Sequence, residues 1–282
     1  MKYVVTGANG QLGKALKRRT SSFHELIALS KNDLDVTNES MVHNVLTELK
    51  PDVVVHAAAY TKVDLAEEER TQAFQVNAVG TFHIAKACEE IGATMMYISS
   101  DYVFDGLRQA PYTEEDQVNP LSMYGVSKWL GEEFVEMVLK NHYIVRTSWL
   151  YGHGGFHFVE AMLKCAFAGK GVNVVSDQVG SPTYIEDLVD VMERLLDGKP
   201  YGKYHVQNSG SCTWFEFAKE IYQQVGCDPL LVKPTSTKEF GAKAPRPAFS
   251  QLSLHKLETI GIKKPRHWKD GLTLYLQREG LL

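Results

Sequence analysis

The opening stretch of the chain, Tyr3-Val4-Val5-Thr6-Gly7-Ala8-Asn9-Gly10-Gln11-Leu12-Gly13, limits what the rest can become. A short apolar run breaks into three glycines, and an amphipathic stretch over 11–19 follows at once. This is the pattern of a strand, a tight turn and a helix start that cradles a dinucleotide pyrophosphate. Each glycine has its own task in such a turn. Gly7 lets the backbone bend sharply, Gly10 omits a Cβ where phosphates approach, and Gly13 lets helix and strand pack closely. The free N–H groups of the first helical turn then face the anion. A glycine-rich turn without a ligand is the alternative. Its place at the first strand of a long α/β pattern weighs against that reading.

The remaining pattern alternates. Strands are predicted at 26–29, 52–56, 94–99 and 142–146, with 33–36 a short third strand or its exit. Thr37 or Asn38 can cap a helix running to about Leu49, and a long helix is predicted over 72–91. Pro120 is expected to open another, through about Leu139. Short apolar strands alternating with helices imply an α/β fold with a doubly wound parallel sheet over 1–150. Beyond it, helices at 156–167, 185–196 and 214–225 are joined by loops rich in Gly, Pro and Ser. Short strand signals lie at 171–175, 204–207 and 230–233. Residues 151–282 are therefore expected to form mainly a smaller mixed α/β domain completing a cleft, with 176–198 and 236–259 returning to the first.

Composition removes several function classes. A net charge of -4 gives no footprint for nucleic acid or an anionic membrane. Cys88, Cys165, Cys212 and Cys227 are scattered without a C-x-x-C or zinc spacing, so no metal and reduced thiols are expected. No apolar run is long enough to cross a bilayer, and the apolar start is too short for a signal peptide. A soluble cytoplasmic protein is the expectation.

Two further constellations carry chemistry. Tyr124 and Lys128 are one helical turn apart, so their side chains share a face. A phenol near pH 7 is a poor acid, with a reference pKa of about 10, and a neighbouring ammonium is expected to lower it. Ser99-Ser100-Asp101 leaves the strand at 94–99 at the carboxyl edge, where ligands of such sheets sit. Neighbouring strand residues alternate faces, so one serine should enter the cleft. A solvated helix face and a plain turn are the respective alternatives.

Together these motifs resemble the extended short-chain dehydrogenase/reductases, with a Rossmann-like fold. Longer stretches narrow the likeness: Gly10-Gln11-Leu12-Gly13, His56 to Asp64, Ser100-Asp101-Tyr102-Val103-Phe104-Asp105-Gly106, Arg146 to Gly152, Gly180-Ser181-Pro182-Thr183 and Arg246-Pro247. They resemble the dTDP-4-dehydrorhamnose reductase family over nearly the whole chain. The resemblance implies Ser100, Tyr124 and Lys128 as catalytic residues, the tyrosine protonating the sugar C4 oxygen as hydride arrives. It implies cofactor contacts from Gly7, Asn9, Gly10, Gln11, Leu12 and Gly13 at the turn. Asp35 and Val36 would lie by the adenine, and Ala57, Ala58, Ala59, Tyr60 and Asn77 would line the middle. Substrate contacts would come from Val63, Ser100, Asp101, Tyr102, Trp149, Thr183 and Arg246. Related sugar-nucleotide dehydratases carry Asp-Glu after the serine or threonine. This chain has Asp101-Tyr102, which favours plain carbonyl reduction.

Ser30-Lys31 stands where NAD enzymes place an acid, and a hydroxyl with a cation suits a 2′-phosphate. NADPH is therefore the expected cofactor, with NADH also accepted. The expected partner is a dTDP-sugar, for a monomer or homodimer. His56 reads as a core histidine and 67–70 as a solvated helix start. Two other functions fit the same resemblance. One is a reductase forming 6-deoxy-L-talose. The other is a non-catalytic NADP-binding subunit like methionine adenosyltransferase β.

Overall fold

The computed structural model describes residues 1–19 and 25–282. Among them, six strands form one parallel sheet: β1 (Lys2–Thr6), β2 (Glu25–Leu29), β3 (Val53–His56), β4 (Thr94–Ser100), β5 (His142–Thr147) and the strand Gly202–His205. The order across the sheet is Gly202–His205, β5, β4, β3, β1, β2. The chain leaves β1 for β2 on one side and then crosses to β3 on the other. Strand order thus reverses between β1 and β3, which opens a crevice at their carboxyl ends.

Period-two alternation supplies both cores. Val4, Val54, Met95, Tyr97 and Ile144 face one layer, with Val42 and Leu46 of α2 (Glu39–Leu49) and Ile84. Val5, Val55, Met96, Tyr143 and Val145 face the other, against Leu12 and Leu16 of α1 (Gln11–Arg18) and Leu188 and Met192 of the helix Ile185–Leu196. Each such side chain fully buried is worth about 1.5–3 kcal/mol. Arg19, just past α1, binds Glu186 and Asp190 of the helix Ile185–Leu196, so this later segment docks on the first layer.

Four expected elements come out differently. Residues 33–36 make no strand: the Asp33 carboxylate accepts from Ser30 N (2.8 Å) and Ser30 Oγ (2.6 Å), closing a turn. The helix predicted over 72–91 is Arg70–Phe74, a π-turn Gln75–Val79, and Gly80–Ile91. The helix expected from Pro120 starts at Met123, where Ser122 Oγ accepts from Gly125 N at 3.1 Å. The strand signal at 204–207 is Gly202–His205, and it extends the large sheet beside β5.

The second half is knitted from short pairs. Leu150–Tyr151 runs parallel to Thr183–Tyr184, Val179–Gly180 antiparallel to Cys212–Thr213, and Val172–Val175 parallel to Val232–Thr235. No helix of the described residues is long and apolar enough to cross a membrane.

Candidate active site

A cleft of about 760 Å³ opens at the carboxyl edge, and the glycine turn forms part of its wall. Gly7 has φ +72°, and a Cβ there would lie 2.7 Å from Ala58 N. A Cβ on Gly13 would lie 2.5 Å from Gly7 O and 2.6 Å from Ala8 Cα. Both glycines are therefore demanded by the protein's own packing. Gly10 differs: its Cβ would meet only Gly7 O, at 3.2 Å. The chain's own packing therefore presses far less on Gly10. α1 starts there with no side-chain cap and no acid in its first turn, so its N–H groups and dipole are offered to an anion.

Lys31, Asp35 and Val36, after β2, and Ala57, Ala58, Ala59 and Tyr60, after β3, line the cleft on either side of the glycine turn. Lys31 is 72% exposed, 3.9 Å from the Asp35 carboxylate. Thr37 hydrogen bonds hold that carboxylate below its usual range, against the pull of burial. Ser30 is not among the lining residues, and its hydroxyl is spent on Asp33. Asn77 is also outside the lining. It is buried in the π-turn, where its side chain accepts from Tyr60 N (2.8 Å) and donates to Tyr60 O (3.0 Å) and Ser127 Oγ (2.9 Å). It supports the wall rather than lining it.

Ser100 ends β4, in register with Thr147 of β5, and Tyr124 and Lys128 rise from the helix Met123–Val138. All three line the cleft. Ser100 Oγ donates to Asp101 Oδ1 at 3.0 Å and accepts from Tyr102 N at 3.2 Å. It is also hydrogen-bonded to Tyr124. Tyr102 meets Tyr124 edge to face at 5.8 Å.

The charge balance here departs from the expectation. Burial pushes Tyr124 up to about 12, offset in part by Ser100. Lys128 does not lower it, because its Nζ donates to Ile98 O (2.6 Å) and sits 4.3 Å from the Tyr97 ring centre. Burial pulls the lysine itself down to about 7, against Glu132. Asp101 is pushed up to about 6 by burial, against hydrogen bonds from Ser250 and Ser100. Tyr124 is thus a protonated donor at every ordinary pH, next to a carboxyl that titrates near neutrality.

The helix bearing this pair is pinned from below. Glu132, one turn beyond Lys128, receives Arg146 of β5 through Nε–Oε1 (2.9 Å) and Nη2–Oε2 (2.6 Å), both side chains almost wholly buried. Its N-terminus is held by Glu67, whose Oε1 accepts from Met123 N at 2.8 Å. Glu69 accepts from the Tyr60 hydroxyl at 2.7 Å. Glu68, Glu69 and Arg70 are exposed, as expected of a solvated stretch, while Glu67 and Glu69 also brace the site through these two bonds. His56 is a core residue, bonded to Thr6 and Thr81 and pulled by burial down to about 3.

Trp149, also lining the cleft, follows β5 with φ +47°. A bulky side chain in that region costs about 1–3 kcal/mol. Val63, Asp101 and Tyr102 also line the cleft, whereas Thr183 and Arg246 do not. Thr183 is buried, its N–H donating to Trp149 O at 3.2 Å. Arg246 grips Asp64 with two nitrogens, at 3.0 and 2.9 Å, and is hydrogen-bonded to Tyr102. Sequence reasoning missed Trp214, which also lines the cleft. Its position at a helix start carried no signal of that. Among the described residues no cluster of His, Cys, Asp or Glu could hold a metal ion.

Comparison with known proteins agrees with this geometry. The family described as "RmlD substrate binding domain" matches residues 1–280. A spore coat polysaccharide biosynthesis protein of Bacillus subtilis, SpsK, is 45% identical over 98% of this chain and 97% of its own. The dTDP-4-dehydrorhamnose reductase of Streptomyces griseus is 40% identical, over 96% of this chain and 92% of its own. A crystal structure of dTDP-4-dehydrorhamnose reductase from Bacillus anthracis, in complex with NADP, is 42% identical with a TM-score of 0.95. It covers 99% of this chain and 100% of that one. By sequence and by fold, the chain belongs to the dTDP-4-dehydrorhamnose reductase family, the one that the RmlD substrate-binding-domain model describes.

Proposed function

We propose that the protein reduces the C4 ketone of dTDP-6-deoxy-L-lyxo-4-hexulose to dTDP-L-rhamnose with NADPH, the last step in making that sugar nucleotide. The observation that carries this is the buried, protonated Tyr124, hydrogen-bonded to Ser100 on the cleft wall. The chain fits the cofactor. Gly10 leaves its Cβ space open before an uncapped helix start, and Lys31, after the neighbouring β2, stands exposed for a 2′-phosphate. Bound nicotinamide supplies the hydride; the chain supplies everything else.

Tyr124 gives its proton to the ketone oxygen. Ser100, hydrogen-bonded to that phenol, can donate its own hydroxyl proton to the same carbonyl oxygen. Lys128 keeps its amine close by at Ile98 O, where it can turn toward a ribose hydroxyl or the phenolate left behind. Tyr102 fills the position where a dehydratase would need a second carboxyl, so the site holds a proton donor without a paired acid and base for removing water. Arg246, anchored on Asp64, stands behind Tyr102 as a cation suited to the substrate diphosphate. We infer a cytoplasmic protein acting on a dTDP-sugar, as monomer or homodimer.

The test mixes purified protein, NADPH and the enzymatically made ketosugar, with NMR of the product. Rhamnose configuration is expected. A talose-configured product refutes the stereochemistry alone. No turnover with bound NADPH refutes the reductase reading in favour of a regulatory subunit.

A further inference from the structure

Three chain segments far apart in sequence meet at one indole. Trp149 leaves β5 two residues after Thr147, which is in register with Ser100, and it lines the same cleft as Ser100 and Tyr124. Its backbone is held in the left-handed region by neighbours. Thr183 N donates to Trp149 O, and Ser148 Oγ donates to Ser181 O at 2.7 Å. Gly180 passes so close to the ring that a Cβ would lie 2.6 Å from Trp149 Cε2.

The third segment covers the indole itself. Trp214 stacks on Trp149 with ring centres 3.5 Å apart and planes within 9°. Trp214 is in turn fixed from three sides. Cys212–Thr213 pairs with Val179–Gly180, the same strand that brings Gly180 to Trp149. Thr213 and Glu216 form a reciprocal capping box, which makes Trp214 the first residue of its helix. Phe158 packs against the ring at 4.6 Å. Both indoles are half-buried and both line the cleft. A stack that only filled the core would have no reason to end at the substrate cleft.

We propose that Trp214 is a substrate-positioning residue. Stacked on Trp149, it holds that indole as the wall against which the sugar ring of the nucleotide lies. This rests on the reductase reading for the identity of the ligand. The chemistry follows from the faces involved. A 6-deoxyhexose offers axial C–H groups and a methyl to an aromatic wall, whereas the base and diphosphate lie further from the reacting carbon. A wall free to rotate would admit the sugar in several poses, and hydride and proton would then arrive out of line. Trp214 donates no proton and touches no reacting atom. Its effect passes through Trp149.

The experiment compares Trp214→Ala, Trp214→Leu and Trp214→Phe with the wild type. Binding of dTDP-L-rhamnose, dTDP and NADPH is measured by calorimetry, and KM and kcat with the ketosugar. Losing an aromatic stack predicts weaker dTDP-L-rhamnose binding and a higher KM by about tenfold in the Ala and Leu variants. NADPH and dTDP affinities should stay within about twofold, and Trp214→Phe should restore most of the loss. Equal weakening of all three ligands would mean a merely structural residue and overturn the proposal. So would unchanged sugar binding in Trp214→Leu, which keeps apolar bulk should the Ala variant fail to fold. A wild type that binds dTDP-L-rhamnose through Trp214 yet does not reduce the ketosugar would sink the reductase reading and leave this one standing.

Discussion

Gly10 and Gly13 sit three residues apart in one turn, and the structure separates their reasons for being glycine. At Gly13 an added Cβ would sit 2.5 Å from Gly7 O and 2.6 Å from Ala8 Cα, all backbone atoms. Ordinary contact needs nearly 1 Å more, so β1 and α1 would have to move apart. Overpacking of this kind costs about 1–3 kcal/mol. For a chain of this size each kcal/mol lowers Tm by about 2–4 °C. At Gly10 the Cβ meets one oxygen at 3.2 Å, which a shift of a few tenths of an ångström relieves. A valine there should cost the apo fold less than about 1 kcal/mol. It would, however, stand where the pyrophosphate approaches the N–H groups of α1. Two charge-assisted hydrogen bonds lost at about 1.5–3 kcal/mol each predict NADPH binding weaker by roughly 10²–10⁴-fold. Thermal melts of apo protein and calorimetric NADPH titrations should therefore split the variants. Gly13→Ala should lose stability, while Gly10→Val should keep its melt and lose the cofactor. If Gly10→Val binds NADPH normally, or melts as low as Gly13→Ala, the anion does not sit at this turn.

Other perturbations read the rest of the site. Tyr124→Phe removes the proton donor and should lower kcat by about 10²–10⁴-fold with NADPH affinity intact; a smaller loss would place the donor elsewhere. With the phenol held near 12, the activity profile should show no alkaline limb from Tyr124 below about pH 10, checked by comparing wild type with a cofactor-binding control. Asp101 is raised from 3.8 to about 6, so burying its charged form costs stability above pH 6 and nothing below about pH 4. Asp101→Asn should accordingly gain up to about 3 kcal/mol in urea unfolding at pH 8 and none at pH 3.5; a pH-independent change would refute the assignment. Glu132→Ala leaves the Arg146 guanidinium buried without its partner and should cost about 3–5 kcal/mol, read from denaturant midpoints. Lys31→Ala should weaken NADPH more than NADH, by roughly tenfold for an exposed charge; equal effects would remove Lys31 from the 2′-phosphate.

Local patterns were legible and long-range pairings were not. The turn at Gly7, the helix Ile185–Leu196 and the Tyr124–Lys128 spacing all rest on neighbours within a few residues, and each stands where the sequence put it. Gly202–His205 joins the large sheet because β5 offers a free edge, a pairing across some sixty residues that no local pattern encodes. The apolar Leu34 and Val36 imitate a strand, yet the Asp33 side chain captures Ser30 and turns the backbone first. In the site, spacing brought Tyr124 and Lys128 to one face but could not say where the ammonium points. A carbonyl of β4 takes it, and burial then dominates both groups. Trp214 was invisible for a similar reason: its partner Trp149 lies on another element, and only the stack reveals the pair.

The π-turn Gln75–Val79 makes residue count itself a functional quantity. A helix advances about 100° per residue, so one residue added or removed ahead of Asn77 swings its amide to another face. That amide clasps Tyr60 at both backbone atoms and reaches Ser127, which lies between Tyr124 and Lys128 on their helix. The wider helical turn sets the phase at which two halves of one long helix address two partners. Conservative substitutions along 70–91 should leave that phase alone. A single-residue deletion at 75 would remove no side chain that lines the cleft, yet it would release the wall at Tyr60 and the support beneath the proton donor in the same stroke.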